Sequence, residues 1–431
     1  MKKTNVTPDT PCATRRGMSR RSVLASIAAL PLTAALPGCG GAGRVQPTDF
    51  TLIATDFVNG VQFIDGNVRI AINASGQVAF VATELPPPSS GFSQAVFVSQ
   101  PGGSLAKLPT ESLMHIDIKA LQLAPSGEVT FVATNNTNPA TPLRGVYRGN
   151  AVADTITALL EGSPSWSFGD PGGPPPQPRL AMSANGTLAF STLVSGSGGL
   201  YRSAPAGPPE LLRAGSGTYF NNQAIAINDS GAMAVQMEYG DPNAGLSRGV
   251  LIFDTPGDTL ETIQSAGERT PVGWQPRIAM NNLGQVVLSI NSSVTIQYFT
   301  PPLPGGGAPS TTQTVPAGVH RATPTAFGLP FTFTTIATPA DGYSSFGDVT
   351  INDSGTVAFA AGLPDGNSGV FFGSDPEDDV VAVTGEDIVI GGVNQFFSIV
   401  RLGGLNNAGQ LAIQTSDFRT TDQKIWRVEL P

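Results

Sequence analysis

Cysteine and charged residues are scarce in this sequence. Its 431 residues include two cysteines, and 13% of them are charged, against about 25% in an ordinary soluble domain. The cysteines are Cys12 and Cys39, so no thiol follows residue 39. This excludes a disulfide, a cysteine nucleophile, cysteine-ligated zinc and an iron–sulfur cluster from the rest of the chain.

Basic residues are few beyond the N-terminal segment. Residues 1–38 hold six basic residues and one acid, whereas the remainder holds 17 basic and 31 acidic residues, a formal net charge of −14. Such a domain cannot neutralise many phosphates. We therefore expect no nucleic-acid partner.

The side chains that bind metals are equally sparse. The two histidines, His115 and His320, stand in unlike contexts and predict surface or loop positions rather than a metal site. The acidic run at residues 375–379 lacks the spacing of a calcium loop and predicts a solvated hairpin tip. No residue set identifies a cofactor.

Long helices are excluded by 51 glycines and 37 prolines spread along the chain. Disorder is excluded by a hydrophobic content of 40% that includes 22 phenylalanines. These numbers predict a large all-β core.

The N-terminal segment has the layout of an export signal: a basic stretch, an apolar run and a possible cleavage site. Arg20 and Arg21 before a weakly apolar run resemble a twin-arginine signal, and the phrase LPGC ending at Cys39 resembles a lipobox. The resemblance implies export, removal of residues 1–38, acylation of Cys39 and a flexible tether over residues 39–49. The alternative is ordinary cleavage near Ala35, which would release a soluble protein.

One phrase occurs seven times in the remainder, from IAINASGQVAF in the first repeat to GGLNNAGQLAI in the last. Its glycines are Gly76, Gly127, Gly186, Gly231, Gly284, Gly355 and Gly409. Asn followed three residues later by Gly predicts a type I turn closed by a left-handed glycine, with β-strands on either side. The flanking residues are apolar at both odd and even positions, so side chains on both faces of each strand are apolar, which predicts strands buried on both faces.

Each repeat continues with two further strand-like pieces, which makes four strands, the content of one propeller blade. In the fifth repeat the first of these pieces, the predicted third strand, is VTIQYF from Val294. The last repeat ends after its third strand, and residues 50–55 resemble an orphan fourth strand. We therefore predict a seven-bladed β-propeller of four-stranded antiparallel blades over residues 50–431, its ring closed by the N-terminal strand joining the C-terminal blade. An open solenoid and a membrane barrel are the competing architectures. The long fifth interval predicts an insertion loop at residues 300–314.

The N-x-x-G-x-x-x-F repeats resemble those of exported bacterial tandem-repeat proteins with varied surface anchors. The resemblance implies a propeller-like fold and no particular activity.

Cationic residues precede the turn in five repeats. They are Arg69, Lys119, Arg179, Arg277 and Arg401. If the strand entering each turn is innermost, they would ring one mouth of the central channel and attract anions. The competing hypothesis is that each pairs with a carboxylate of a neighbouring blade. The long segments at 163–177 and 322–345 would share that mouth.

The sequence favours a membrane-anchored, extracytoplasmic binding or scaffolding module for a protein, a glycan or an anionic ligand. The alternative is a polysaccharide hydrolase or lyase at the channel mouth, which requires two nearby carboxylates. Asp341, Asp348 and Glu386 stand in loop-like places, but nothing in the sequence pairs them, so we predict no catalytic residue.

Overall fold

The computed structural model describes residues 49–431 except for 57–60, 64–68, 85–93, 111–114, 136, 139, 141–142, 163–179, 195–196, 206, 215–220, 240–246, 254–260, 266–276, 299–310, 325–330 and 421. Arg20, Arg21 and Cys39 lie outside the described residues, as does the segment 163–177. Within the described part, no helix has the length and apolar character needed to cross a membrane.

The first strands in chain order are β1 (Asp49–Thr55), β2 (Val61–Gln62), β3 (Ile70–Ile72), β4 (Val78–Glu84), β5 (Gln94–Ser99), β6 (Leu105–Lys107), β7 (His115–Leu123), β8 (Glu128–Asn135), β9 (Leu143–Asn150), β10 (Thr155–Gly162), β11 (Leu180–Met182), β12 (Leu188–Val194), β13 (Ser197–Ser203) and β14 (Pro209–Ala214). The middle of the chain contributes β15 (Asn221–Ile227), β16 (Met233–Tyr239), β17 (Ser247–Phe253), β18 (Glu261–Ser265), β19 (Arg277–Met280), β20 (Val286–Ile290), β21 (Val294–Tyr298), β22 (Thr311–Val315), β23 (Gly318–Thr323) and β24 (Thr332–Ala337). The last part contains a 3-10 turn (Pro339–Asp341), β25 (Ser345–Ile351), β26 (Val357–Gly362), β27 (Ser368–Phe371), β28 (Val380–Val383), β29 (Asp387–Ile390), β30 (Val393–Phe396), β31 (Ile399–Leu405), β32 (Gln410–Asp417) and β33 (Asp422–Glu429).

The strands form an all-β propeller of four-stranded antiparallel blades. In the described part, five sheets have four strands, one has five, one has six, and β29 and β30 form a separate hairpin. The four-stranded sheets have the orders β1-β33-β32-β31, β10-β9-β8-β7, β11-β12-β13-β14, β19-β20-β23-β24 and β25-β26-β27-β28. Five sheets therefore have the predicted four strands, and two sheets have additional strands.

The N-terminal strand belongs to the sheet built by the end of the chain. β1 pairs antiparallel with β33, and Leu52 lies opposite Trp426 in the register. The rings of Phe50 and Trp426 meet edge to face with centroids 6.0 Å apart. The predicted pairing of the N-terminal strand with the last sheet is confirmed.

The repeated phrase forms the turn that its sequence predicts. In the first repeat Gly76 N–H donates to the carbonyl of Asn73, Asn73 N–H donates to the carbonyl of Gln77, and the φ angle of Gly76 is 78°. The other six turns have the same two backbone bonds and glycine φ angles between 72° and 88°. A side chain at this glycine would be strained, which explains why the residue recurs.

The turn asparagines also connect neighbouring repeats. Asn73 Nδ2 donates to the carbonyl of Ala124 at 3.0 Å, and Asn281 Nδ2 donates to the carbonyl of Asn352 at 3.0 Å. Asn406 Nδ2, in the last repeat, donates to the carbonyl of Asn73 in the first at 2.9 Å. These asparagines are buried, so each one orders its own turn and holds the next turn in place.

The phenylalanine that ends the phrase packs against an aromatic residue on the third strand. Phe80 stacks on Phe97 with centroids 5.6 Å apart, and Phe190 stacks on Tyr201 at 5.2 Å. Phe80 and Phe190 are fully buried, and each contributes roughly 2 kcal/mol by leaving water. Where the motif has Ile413 instead, the opposite residue is Trp426, which supplies the missing volume.

Three third-strand arginines, Arg202, Arg321 and Arg427, join their sheets to the turn of the next repeat. Arg321 Nη1 donates to the carbonyl of Gly355 at 2.8 Å, and Arg427 Nη1 donates to that of Gly76 at 3.1 Å. The sequence analysis did not identify this role. The signal that could have found it is the arginine that follows an aromatic ring in the phrases GLYRSA, GVHRAT and KIWRVEL.

The fifth repeat corrects the predicted strand assignment. Val294–Tyr298, predicted as its third strand, instead pairs with β22 in a hairpin that extends the sheet of β18. The third strand is β23, which pairs with β20 and β24. The predicted insertion loop at residues 300–314 therefore ends in a strand, because Thr311–Val315 has a pairing partner; residues 300–310 lie outside the described part.

The segment 322–345, predicted as a long loop, is also more regular than expected. It contains β24 and the 3-10 turn Pro339–Asp341. Asp341 Oδ2 accepts hydrogen bonds from the backbone N–H and the hydroxyl of Thr338, both at 2.8 Å. This places Asp341 in a capping role.

Candidate functional site

The first strands of the sheets surround a cavity of about 610 Å³. Its wall is formed by residues of β3, β7, β11, β15, β19, β25 and β31 together with residues at their ends. The expectation that the strand entering each turn is innermost is thereby met. Because a strand rises about 3.3 Å per residue, the residues before these strands and the turns after them lie at opposite ends of the cavity.

Three arginines and one carboxylate line one end of the cavity. β19, β25, β31 and β3 lie side by side in that order, and they place Arg277, Asp348, Arg401 and Arg69 along the wall. We call these four residues the arginine arc. Its charges run plus, minus, plus, plus, which leaves a local excess of two positive charges.

Arg277 and Asp348 of the arc form an ion pair. Arg277 Nε lies 3.5 Å from Asp348 Oδ1, and the Asp348 side chain keeps 54% of its surface accessible. Burial lowers the pKa of Arg277 below its ordinary value, while Asp348 opposes the shift. The pairing hypothesis is therefore met at Arg277, whose partner belongs to the next repeat.

The surroundings of Arg69 disfavour its positive charge. Burial lowers its pKa, Asp348 opposes that shift, and Arg401 adds to it by repulsion. Within the described residues, the buried Nε of Arg69 has no hydrogen-bond partner. The guanidinium still carries its charge at neutral pH, so an anion placed between Arg69 and Arg401 would relieve the repulsion.

The structure describes three of the five predicted cations at the cavity wall. Arg69, Arg277 and Arg401 come together there. The side chain of Lys119 and all of Arg179 lie outside the described residues. A ring of five cations stays a prediction.

Linked turn residues lie at the opposite end of the cavity, and three of them, Asn282, Asp353 and Asn407, line it. We call Asn185, Asp229, Asn282, Asp353 and Asn407 the turn belt. Asn282 Nδ2 donates to Asp229 Oδ2 and to Asp353 Oδ2, in both cases at 2.7 Å. Sequence reasoning missed the belt, although four of its members stand directly after the turn asparagine.

The belt brings two carboxylates together. Since both Oδ2 atoms lie 2.7 Å from one nitrogen, they are at most 5.4 Å apart, which is compatible with the roughly 5–5.5 Å between the two carboxyl groups of retaining glycosidases. Their oxygens are, however, already acceptors: Asp229 Oδ1 binds Asn185 N–H at 2.6 Å and Asp353 Oδ1 binds Asn282 N–H at 2.8 Å. The belt therefore acts first as a connection between turns.

The remaining candidate residues do not assemble into a metal site. Among the described residues, no three His, Cys, Asp or Glu side chains come close enough to hold a metal ion. In the acidic run, Asp375 Oδ1 accepts the backbone N–H of Glu377 at 2.8 Å. The run lies between β27 and β28, as expected of a hairpin tip.

His320 corrects the prediction of a surface or loop position. It lies in β23, is 1% exposed, and occupies the place opposite Leu288. Its Nε2 lies 2.9 Å from the carbonyl of Pro316, and its Nδ1 lies 3.2 Å from Thr335 Oγ1. The carbonyl can only accept, so Nε2 carries the proton of a neutral ring. The side chain of His115 lies outside the described residues.

Acid is expected to destabilise the fold through His320. Burial lowers the pKa of His320 below its ordinary value of 6.5, while the bond to Pro316 opposes the shift. Because the unfolded chain binds the proton first, stability is full above about pH 6.5 and falls as the pH drops below it, by at most about 1.4 kcal/mol per pH unit. Urea denaturation between pH 7.5 and 5 should show a smaller loss for His320→Gln than for the wild type. Equal slopes would contradict this assignment.

No family model and no curated protein matches this chain. Among solved structures, a chain of the mitotic checkpoint complex is similar at 12% identity and a TM-score of 0.44, over 92% of this chain and 99% of that one. An acylaminoacyl peptidase from Pyrococcus horikoshii is similar at 10% identity and a TM-score of 0.44, over 81% of this chain and 49% of the peptidase.

A gluconolactonase from Xanthomonas campestris is similar at 15% identity and a TM-score of 0.34, over 70% of this chain and 82% of that one. Identities and TM-scores this low carry no argument about activity.

Proposed function

We propose that this protein is an exported, membrane-anchored binding module whose central cavity holds a ligand with a carboxylate or a similar anionic group. The observation that carries the proposal is the adjacent pair Arg69 and Arg401 on the cavity wall. In a domain of net charge −14, two neighbouring cations in a concave site form a local focus for anions. Guanidinium groups also match the geometry of a carboxylate.

The proposal includes a closed ring of seven blades. In support, contacts between neighbouring first strands run from β3 through β7, β11, β15, β19 and β25 to β31, and β31 contacts β3. The bonds from Asn406 to Asn73 and from Arg427 to Gly76 also join the last repeat to the first. A closed ring removes the free sheet edges that an open array would expose.

The location rests on the N-terminal segment. Arg20 and Arg21 support export in a folded state, and Cys39 supports a lipid anchor, with residues 39–49 as the tether. The cavity would then face the extracytoplasmic space, where its ligand, a glycan or an envelope protein could reach it. Mass spectrometry of the peptide that begins at Cys39 tests the acylation.

Calorimetry with sodium acetate, inorganic phosphate and sodium glucuronate tests the binding proposal. We expect at least one of these anions to bind the domain and to bind about tenfold more weakly when Arg69→Gln and Arg401→Gln are combined, because charge-assisted hydrogen bonds are lost. Arg419→Ala is the matched control: Arg419 is half-exposed, pairs with Asp387 and Asp417, and does not line the cavity. Equal binding by the double variant and the control would reject the site.

The second candidate function, hydrolysis of a polysaccharide, is favoured by one observation, the closeness of Asp229 and Asp353 at the turn belt. It requires one of these carboxylates to leave its hydrogen bonds and meet a sugar. Release of reducing ends from a polysaccharide by the wild type, abolished by Asp353→Asn, would overturn the binding proposal in favour of this one.

A further inference from the structure

The arginine arc contains more than cations. Asp348 stands between Arg277 and Arg401 on neighbouring strands, and Arg277 satisfies one of its oxygens. Asp348 stabilises the charge of Arg277 through their ion pair, but it also repels an anion that enters beside it. The order of charges fits a ligand that itself carries both signs.

We propose that the cavity selects an α-amino acid, or the free end of a peptide that presents a carboxylate beside an ammonium group. The carboxylate binds between Arg401 and Arg69, and the ammonium group donates to Asp348. This inference rests on the proposed function, because it assigns the ligand class of the same site. Asp348 is thereby the residue that determines specificity.

The geometry allows both contacts at once. Neighbouring first strands contact one another, so a small ligand bound to Arg401 reaches the strand on either side. The Asp348 side chain is 54% accessible alongside its existing contacts, and a carboxylate offers about four acceptor positions, so a ligand ammonium group can donate to it as well. Asp348 also contributes to the pKa of Arg69, which places its charge within reach of the proposed carboxylate position.

The wall beside the arc accommodates an apolar side chain. Ile70, Ile278 and Leu402 follow Arg69, Arg277 and Arg401 along their strands, and all three line the cavity. A cavity of about 610 Å³ is within the range that holds small organic ligands. An aliphatic amino acid such as leucine is therefore a suitable probe.

The experiment compares three probes with one carbon skeleton. L-leucine has both charged groups, 4-methylpentanoate has only the carboxylate, and 3-methylbutylamine has only the amine. Calorimetry on the wild-type domain should show leucine binding at least tenfold more tightly than either of the others. Asp348→Asn should reverse the order of leucine and 4-methylpentanoate, because it replaces the carboxylate that pairs with the ammonium group by a neutral amide and removes the repulsion of the anion.

Two further variants test the same assignment independently. Arg277→Gln removes the competing partner of Asp348 and should increase the preference for leucine over 4-methylpentanoate. The combination of Arg69→Gln and Arg401→Gln should weaken both ligands by tenfold or more. Melting curves without ligand show whether each variant is folded.

The outcomes separate this inference from the proposed function. If the wild type binds leucine and 4-methylpentanoate equally and the double arginine variant loses both, the anion site stands and the role of Asp348 is rejected. If Asp348→Asn strengthens both ligands by the same factor, Asp348 only repels anions, and the inference is again rejected. If none of these carboxylates and none of the inorganic anions binds, both this inference and the proposed function are rejected.

Discussion

Replacing Trp426 with alanine is expected to lower the free energy of unfolding by about 4 kcal/mol, as for other large aromatic residues removed from a core. Trp426 is 4% exposed, and its Nε1 donates to Thr415 Oγ1 at 2.9 Å. It packs against Phe50 of β1, and the same position fills the volume that Ile413 leaves. The substitution therefore weakens the core of the last sheet and the attachment of the N-terminal strand together.

Urea denaturation followed by circular dichroism measures this loss, with Phe418→Ala as the matched control. Phe418 lies near the end of the same sheet but is 67% exposed, so its replacement should change stability by less than about 0.5 kcal/mol. A double-mutant cycle of Phe50→Ala with Trp426→Ala should give a coupling of about 1 kcal/mol, since the two rings touch. A loss below 1 kcal/mol for Trp426→Ala would contradict the packing.

The second large effect is expected at Asn406. Asn406→Ala should cost about 3 kcal/mol, because several buried groups lose a partner at once. Asn406 Oδ1 accepts the backbone N–H groups of Ala408 and Gln410 at 3.0 and 2.9 Å, and Nδ2 donates to the carbonyl of Asn73 and to Gln410 Oε1, both at 2.9 Å. One side chain thus supports its own turn and the turn of the first repeat.

Asn406→Asp separates these two roles. Aspartate forms the same turn but places an acceptor where the amide donated to Asn73. If the bonds that Nδ2 donates to Asn73 and to Gln410 Oε1 matter, Asp should be nearly as destabilising as Ala; if only the bonds that Oδ1 accepts within the turn matter, Asp should be almost neutral. Asn394→Ala, at an exposed position in the hairpin of β29 and β30, is the control and should have little effect. A neutral Asn406→Asp would assign the whole contribution to the turn.

Much of the fold follows from local sequence. Asn73, Gln77 and Gly76 satisfy each other within five residues, so the turn can be predicted from a short window. The run from Val78 to Phe80 is buried on both faces, and apolar residues at both parities predict that. The fifth repeat shows the limit: Val294–Tyr298 has the pattern of a third strand, but pattern alone cannot decide between β20 and β18 as its partner.

Part of the candidate site could be predicted because that part also depends on local sequence. The positions of Arg69, Arg277 and Arg401 relative to their turns are local, so their common place on the cavity wall could be expected. The position of Asp348 between two of them could not, because it depends on which strands are neighbours. His320 was misjudged because an isolated histidine in sequence gives no sign of the leucine that it faces in the sheet.

The sequence by itself determined the repeating unit, its turn, its buried strands and the N-terminal strand available for the last sheet, since each depends on residues a few positions apart. Tertiary structure decided how the repeats contact one another. It produces the hydrogen bonds from Asn406 to Asn73 and from Arg427 to Gly76. It also determines the alternation of Asp and Asn in the turn belt and the order of charges in the arginine arc. These contacts join residues from 44 to 351 positions apart. They depend on the spacing and tilt of neighbouring sheets, which a local pattern of side chains does not specify.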